Sequence, residues 1–76
     1  GVSNIAKLKV EDLQNLYMKL DIISGQAAIV AIQNDEVRVL ADQSVEKHIT
    51  LPFKKGRVRL RLLGEKTDLK FLIKKT

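Results

Sequence analysis

Cysteine is absent from this 76-residue sequence, and histidine occurs once, at His48. The chain can therefore form no disulfide, and it lacks the cysteine and histidine sets that hold structural zinc. No apolar run approaches the ~20 residues needed to cross a bilayer, and the start shows no secretory signal pattern. The first residue is Gly1 rather than methionine, so an origin in a larger or secreted parent protein fits the sequence and the compartment stays open.

Groups suited to catalysis are equally scarce. Ser44, His48 and Asp42 could suggest a nucleophilic triad, but they fall on one strand or its approach, without a glycine-rich elbow. The other acidic side chains fall mainly in predicted turns, and the four glycines form no phosphate-binding loop. We therefore expect a protein that is not an enzyme and that has no cofactor, no metal site and no catalytic residue.

Aromatic residues are limited to Tyr17, Phe53 and Phe71, and tryptophan is absent. Sheet proteins that read single-stranded nucleic acid stack bases on exposed aromatic rings, so this shortage counts against that function. It also weakens the case for carbohydrate binding.

What the sequence does contain is an ordinary apolar fraction, 45%. That value is typical of a folded chain rather than a disordered one. A chain of this length forms one domain with one core, and it buries only about 60% of the surface that its unfolded form exposes. We predict a single β domain over residues 1–76 whose limited stability would benefit from association with itself or with another protein.

The apolar positions alternate with the period of a β-strand, most clearly in the last third. Residues 57–63 and 68–74 each alternate apolar with basic side chains, and 64–67 separates them with a glycine at its start, which predicts a hairpin. Residues 36–40 predict another strand with Val37 and Val39 facing inward and Leu40 outward.

The whole pattern gives six to seven short strands, typical of a small antiparallel β-sandwich or a partly open barrel in an all-β protein. The run 16–73 resembles, in strand spacing and in its turns at 55–56 and 63–64, the small β-sandwich modules appended to secreted bacterial proteins. That resemblance implies no particular site residue in this chain. The alternative is an α+β fold with an N-terminal helix over residues 10–20, because Val10, Leu13, Tyr17 and Leu20 also repeat at helical spacing.

Charge is unevenly distributed along the chain. Residues 1–46 carry four basic and seven acidic side chains, whereas residues 47–76 carry ten basic and two acidic ones. In the predicted hairpin, most of the outward positions are basic and two are leucines. This predicted contact surface consists of Arg57, Arg59, Arg61, Leu63, Lys70, Leu72 and Lys74.

Like charges directly opposite each other destabilise a sheet, so the basic residues require compensation. Glu36, Glu46 and Asp21 could provide it from neighbouring strands; otherwise a bound partner or anion would. We therefore predict an interaction or assembly module that contacts a protein partner or a second copy through the 57–74 hairpin. The alternative is that its basic face binds a polyanion, either nucleic acid or an acidic polysaccharide.

Overall fold

The computed structural model describes all 76 residues and contains strands but no helix. The five strands are β1 (Val2–Val10), β2 (Asn15–Gln33), β3 (Glu36–Ala41), β4 (Val45–Thr50) and β5 (Gly56–Lys75). The all-β prediction is confirmed, and the alternative helix over residues 10–20 is wrong. Residues 15–20 instead form the first part of β2, where they pair with both β4 and β5.

All five strands belong to one antiparallel sheet with the order β1-β5-β2-β3. The two long strands, β2 and β5, pair along most of their lengths. β3 and β4 lie one after the other along the remaining edge of β2, because β3 pairs with residues 29–33 and β4 with residues 15–20. The sheet does not close, and a sandwich or barrel of six to seven strands is not confirmed.

The predicted hairpin over residues 57–74 is wrong, because these residues form one continuous strand, β5. Residues 64–67 do not turn the chain; they form an irregular segment in which the register with β2 shifts. The matching segment of β2, residues 22–26, shifts as well, and it contains Gly25 with a φ of 81°. Glycines and inserted residues mark β-bulges as readily as turns, so local sequence did not separate the two.

These irregularities allow both long strands to keep an apolar side toward one core. In β2 the buried side chains occupy even positions before the bulge, such as Leu16 and Met18, and odd positions after it, such as Ile29 and Ala31. The bulge inserts an extra residue and so reverses the alternation. Residues from both halves of the sheet share one cluster of 12 buried side chains.

The core is completed by the connection between β4 and β5. Leu51 and Phe53 of this connection are buried, whereas Pro52 between them is exposed. The backbone nitrogen of Leu51 donates to the Gln14 carbonyl at 2.8 Å, and that of Leu13 donates to the Phe53 carbonyl at 3.0 Å. These bonds hold the connection against the segment that joins β1 to β2.

The predicted orientation of β3 is also wrong. Val37 and Val39 are 56% and 63% exposed, whereas Leu40 and Ala41 are both buried. The register shifts here, since Val30 lies opposite Val39 while Ile29 lies opposite Ala41. Leu40 is the extra residue of this bulge, which allows two successive side chains to face the core.

Candidate binding surface on the outer sheet face

Five basic side chains lie together on the face of β1 and β5 that points away from the core. We call them the outer basic cluster: Lys7, Lys9, Arg57, Arg59 and Arg61. Lys7 lies directly opposite Arg59, and Lys9 lies directly opposite Arg57. Arg61 lies opposite Asn4, and its Nε donates a 2.9 Å hydrogen bond to Asn4 Oδ1.

No acidic side chain forms an ion pair with this cluster. The two ion pairs of the protein join Arg38 to Glu36 at 3.3 Å and Lys55 to Glu11 at 4.0 Å. Internal compensation by Glu36, Glu46 and Asp21, which the sequence allowed, is absent for the arginines of this face, although Asp21 does lie beside one lysine of the predicted contact surface. Glu36 binds Arg38, Glu46 accepts a hydrogen bond from Tyr17, and Asp21 lies opposite Lys70.

Apolar side chains continue the same face on β2 and β3. We call them the outer apolar stripe: Val30, Ile32, Val37 and Val39. Val37 and Val39 are exposed, whereas Ile32 is half-buried and Val30 is buried. In one row across the sheet Val39, Val30 and Arg61 are neighbours, and in the next row Val37, Ile32 and Arg59 are. Each row therefore places an exposed valine two strands away from an arginine.

A depression lies within this face. Its lining is Lys7, Ile32, Asn34, Arg57, Val58 and Arg59, which includes three cations, one amide and no acid. Asn34 occupies the two-residue turn between β2 and β3 and adopts a φ of 54°, a conformation that asparagine tolerates better than most residues. The depression therefore presents hydrogen-bond donors of positive charge beside an apolar side chain.

The seven residues of the predicted contact surface are divided between two places. Arg57, Arg59, Arg61 and Leu63 lie on this outer face, where Leu63 is 36% exposed and neighbours Val2. The remaining three residues, Lys70, Leu72 and Lys74, lie beyond the bulge on the other half of β5.

In that second half the neighbours of the basic residues differ from those that a hairpin would provide. Lys70 lies opposite Asp21, Leu72 opposite Lys19, and Lys74 opposite Tyr17. A hairpin closed at residues 64–67 would have paired Arg61 with Lys70, whereas the observed pairs include an acid and an aromatic ring. Phe71 lies opposite the buried Leu20 but is itself 43% exposed, because no strand follows β5 at this edge.

Tyr17, Glu46 and His48 form a small polar group on β2 and β4. The rings of Tyr17 and His48 lie 5.3 Å apart, and the Tyr17 hydroxyl donates to the Glu46 carboxylate. That hydrogen bond, with smaller effects of desolvation and of the Glu46 charge, raises the pKa of Tyr17 above its ordinary value. The folded state therefore favours the protonated phenol, and this contribution to stability is lost as the pH rises through the raised pKa of Tyr17.

Two of the three residues considered for a catalytic triad, Ser44 and His48, contact other residues of the sheet. Ser44 Oγ accepts a 2.9 Å hydrogen bond from the backbone nitrogen of Ile22, and His48 contacts Tyr17. No three His, Asp or Glu side chains come close enough together to hold a metal ion. The structure contains no helix that is long enough and apolar enough to cross a bilayer.

Lys7 and Lys9 belong to this surface but not to the contact surface predicted from the sequence. Charges on a strand at the edge of a sheet, where β1 lies, also discourage aggregation. The alternation of these lysines with Ala6 and Leu8 was a usable signal for the outward face. Their pairing with Arg57 and Arg59 could not be predicted from local sequence, because it depends on which distant strand lies beside β1.

Comparison of this chain with protein-family models, with curated proteins and with solved structures found no match. The outer sheet face is therefore the feature of this chain from which a function can be inferred.

Proposed function

We propose that this domain is a non-enzymatic interaction module that binds an acidic partner protein on its outer sheet face. The outer basic cluster would pair with carboxylates of the partner, and the exposed residues of the outer apolar stripe, Val37 and Val39, would pack against apolar side chains of the partner. An apolar area with charged residues beside it is the usual composition of a protein interface.

The observation that carries this proposal is the pairing of like charges across β1 and β5. Lys7 faces Arg59 and Lys9 faces Arg57, with no acid in an ion pair with any of the four. Each such pair costs up to about 1 kcal/mol in an antiparallel sheet. A partner that supplies carboxylates would remove this cost on binding, and arginine suits carboxylates because it donates two parallel hydrogen bonds.

The neighbouring valines favour a protein over a polyanion as the partner. Val37 and Val39 are more than half exposed, and they occupy the same face as the cations. A polyanion has no apolar groups that would pack against these valines. An acidic protein surface with apolar residues can contact both the valines and the outer basic cluster. No aromatic side chain belongs to the cluster or the stripe, which fits poorly with base stacking.

A charge reversal tests the proposal. The double variant Lys7→Glu/Arg59→Glu should bind a random copolymer of glutamate and leucine at least about tenfold more weakly than the unmodified chain, because attraction at the centre of the cluster becomes repulsion. Isothermal titration calorimetry or fluorescence anisotropy with labelled copolymer gives the dissociation constants. The matched control is Lys70→Glu/Lys74→Glu, which makes the same charge change on the other half of β5 and should preserve most of the affinity. Equal weakening by the two double variants would contradict the proposal.

A second candidate is the binding of a polyanion such as nucleic acid or an acidic polysaccharide. It is favoured by the depression lined by Lys7, Arg57 and Arg59 without an acid. Heparin and duplex DNA serve as probes, and this candidate predicts tight binding whose affinity falls steeply with salt as counterions are released. The double variant Val37→Ser/Val39→Ser separates the two candidates, because it should weaken binding of the glutamate–leucine copolymer and leave heparin binding unchanged if the partner is a protein.

A further inference from the structure

The second half of β5 has one hydrogen-bonding edge that no strand of the chain occupies. β1 pairs with residues 56–63 of β5, and β2 pairs with the opposite edge along most of β5. The edge of residues 68–74 that faces away from β2 is therefore unpaired. Its two central side chains, Phe71 and Leu72, are 43% and 44% exposed. Lys75, which donates from Nζ to the Lys9 carbonyl at 3.1 Å, lies just beyond this segment.

We propose that residues 68–74 pair with the same residues of a second copy, forming an antiparallel two-stranded junction that joins two sheets. This surface differs from the outer sheet face, so the inference does not depend on the proposed partner. An exposed edge presents a row of free N–H and C=O groups, and pairing with another strand satisfies them.

Geometry restricts how two such edges can align. A two-fold axis perpendicular to the joined sheet leaves the core-facing side chains of both copies on the same face of that sheet. Core-facing residues of one copy therefore lie opposite core-facing residues of the other. Leu69, Phe71 and Ile73 share that side, since they lie opposite Ile22, Leu20 and Met18 of β2. The possible centres of symmetry are therefore single residues of the strand.

The length of the regular strand and the charges together select one of these centres. An axis at Leu69 would pair Asp68 with Lys70 twice, but it would align only residues 68–70, because residues 64–67 are irregular. An axis at Ile73 would form no pair of opposite charges.

With the axis at Phe71, Asp68 of each copy lies opposite Lys74 of the other, which gives two pairs of opposite charge. An axis at Leu72 would instead place Lys70 opposite Lys74 twice, and an axis at Lys70 would bring two lysines together. Like charges at directly opposed positions destabilise a sheet, so the alignment centred on Phe71 is preferred.

The same alignment is favourable for the apolar side chains. Leu69 of each copy lies opposite Ile73 of the other, and the two Phe71 rings meet at the axis. Both aliphatic residues are only partly buried in the single chain and pack at the margin of its core. The junction would extend that core across the two copies, which suits a domain of this small size.

Cysteine substitution tests the alignment without background, because the natural chain has no cysteine. Directly opposed residues of antiparallel strands have Cα atoms about 4.5–5.5 Å apart, within the range that a disulfide spans. Phe71→Cys should therefore form a disulfide-linked dimer of twice the 8.6 kDa chain mass on mild oxidation. The matched control is Leu72→Cys, equally exposed in the single chain but opposite Lys70 in the dimer, which should oxidise to dimer far more slowly. Equal rates of dimer formation for the two variants would overturn the alignment.

A charge exchange provides a second test that leaves Phe71 in place. Asp68→Lys and Lys74→Asp each replace two attractive pairs by two repulsive ones, so each should weaken the dimer by about tenfold in sedimentation equilibrium. The double variant Asp68→Lys/Lys74→Asp restores opposite charges and should recover the affinity of the natural chain. Asp35→Lys, in the turn between β2 and β3, controls for net charge and should have no effect. A natural chain that stays monomeric at millimolar concentration, or a double variant no tighter than the single ones, would refute the proposal.

Discussion

Replacing Gly25 by alanine is expected to lower the free energy of unfolding by about 2–4 kcal/mol. An alanine Cβ at this position would overlap the Lys66 carbonyl oxygen and lie 2.7 Å from that of Glu65. Both contacts are with backbone atoms of the adjoining bulge, which cannot rotate away as a side chain can. The φ of 81° adds strain, since residues other than glycine rarely adopt it.

Urea unfolding followed by circular dichroism measures this loss. The control is Gly64→Ala in the same irregular region, where the nearest atom to the new Cβ is the Thr67 side-chain oxygen at 3.0 Å and φ is not positive. That side chain can shift, so we expect a loss below about 1.5 kcal/mol. Similar stability of the natural chain and the Gly25→Ala variant would show that the two bulges do not approach each other as described.

Leu60→Ala should have an effect of comparable size. Leu60 is fully buried in β5, lies opposite Ala31 of β2 and Ala6 of β1, and belongs to the shared core. Removing its side chain leaves a cavity that small alanine neighbours cannot fill, and such substitutions cost about 2–5 kcal/mol. A domain of this length has roughly 4–11 kcal/mol of stability in total, so the variant should lose a large fraction of it and unfold at a clearly lower temperature.

Thermal unfolding of Leu60→Ala should be compared with that of Leu72→Ala. Both substitutions remove the same atoms from the same strand, but Leu72 is 44% exposed. We expect Leu72→Ala to cost less than about 1 kcal/mol, because little of its surface leaves water on folding of the single chain. A larger loss of stability for Leu72→Ala than for Leu60→Ala would contradict the orientation of β5.

The sequence was sufficient to predict strands, their antiparallel arrangement and much of their orientation. Alternation correctly placed Val58 and Leu60 inside and Arg57 and Arg59 outside. It did so because a residue's side in a regular strand depends only on its neighbours along the chain.

Alternation fails where a bulge inserts a residue. Predictions failed at the bulge at Leu40 and at the irregular segment 64–67, and each of these shifts the register with β2. A glycine followed by polar residues has the composition of a turn, and only pairing with β2 shows that the chain continues in the same direction. The outer basic cluster could not be assembled from sequence either, since Lys7 and Arg59 are brought together by long-range pairing.

The most direct test of the account is the register of β5, because the separation of the two basic surfaces follows from it. Backbone NOE measurements on the labelled chain should connect Lys70 with Asp21, and Arg59 with both Lys7 and Ile32. A single bent strand with a basic cluster on one outer face requires these contacts. Backbone NOEs that instead connect Arg61 with Lys70, and Arg57 with Lys74, would mean that residues 57–74 fold back as a hairpin and would contradict the binding surface described for this domain.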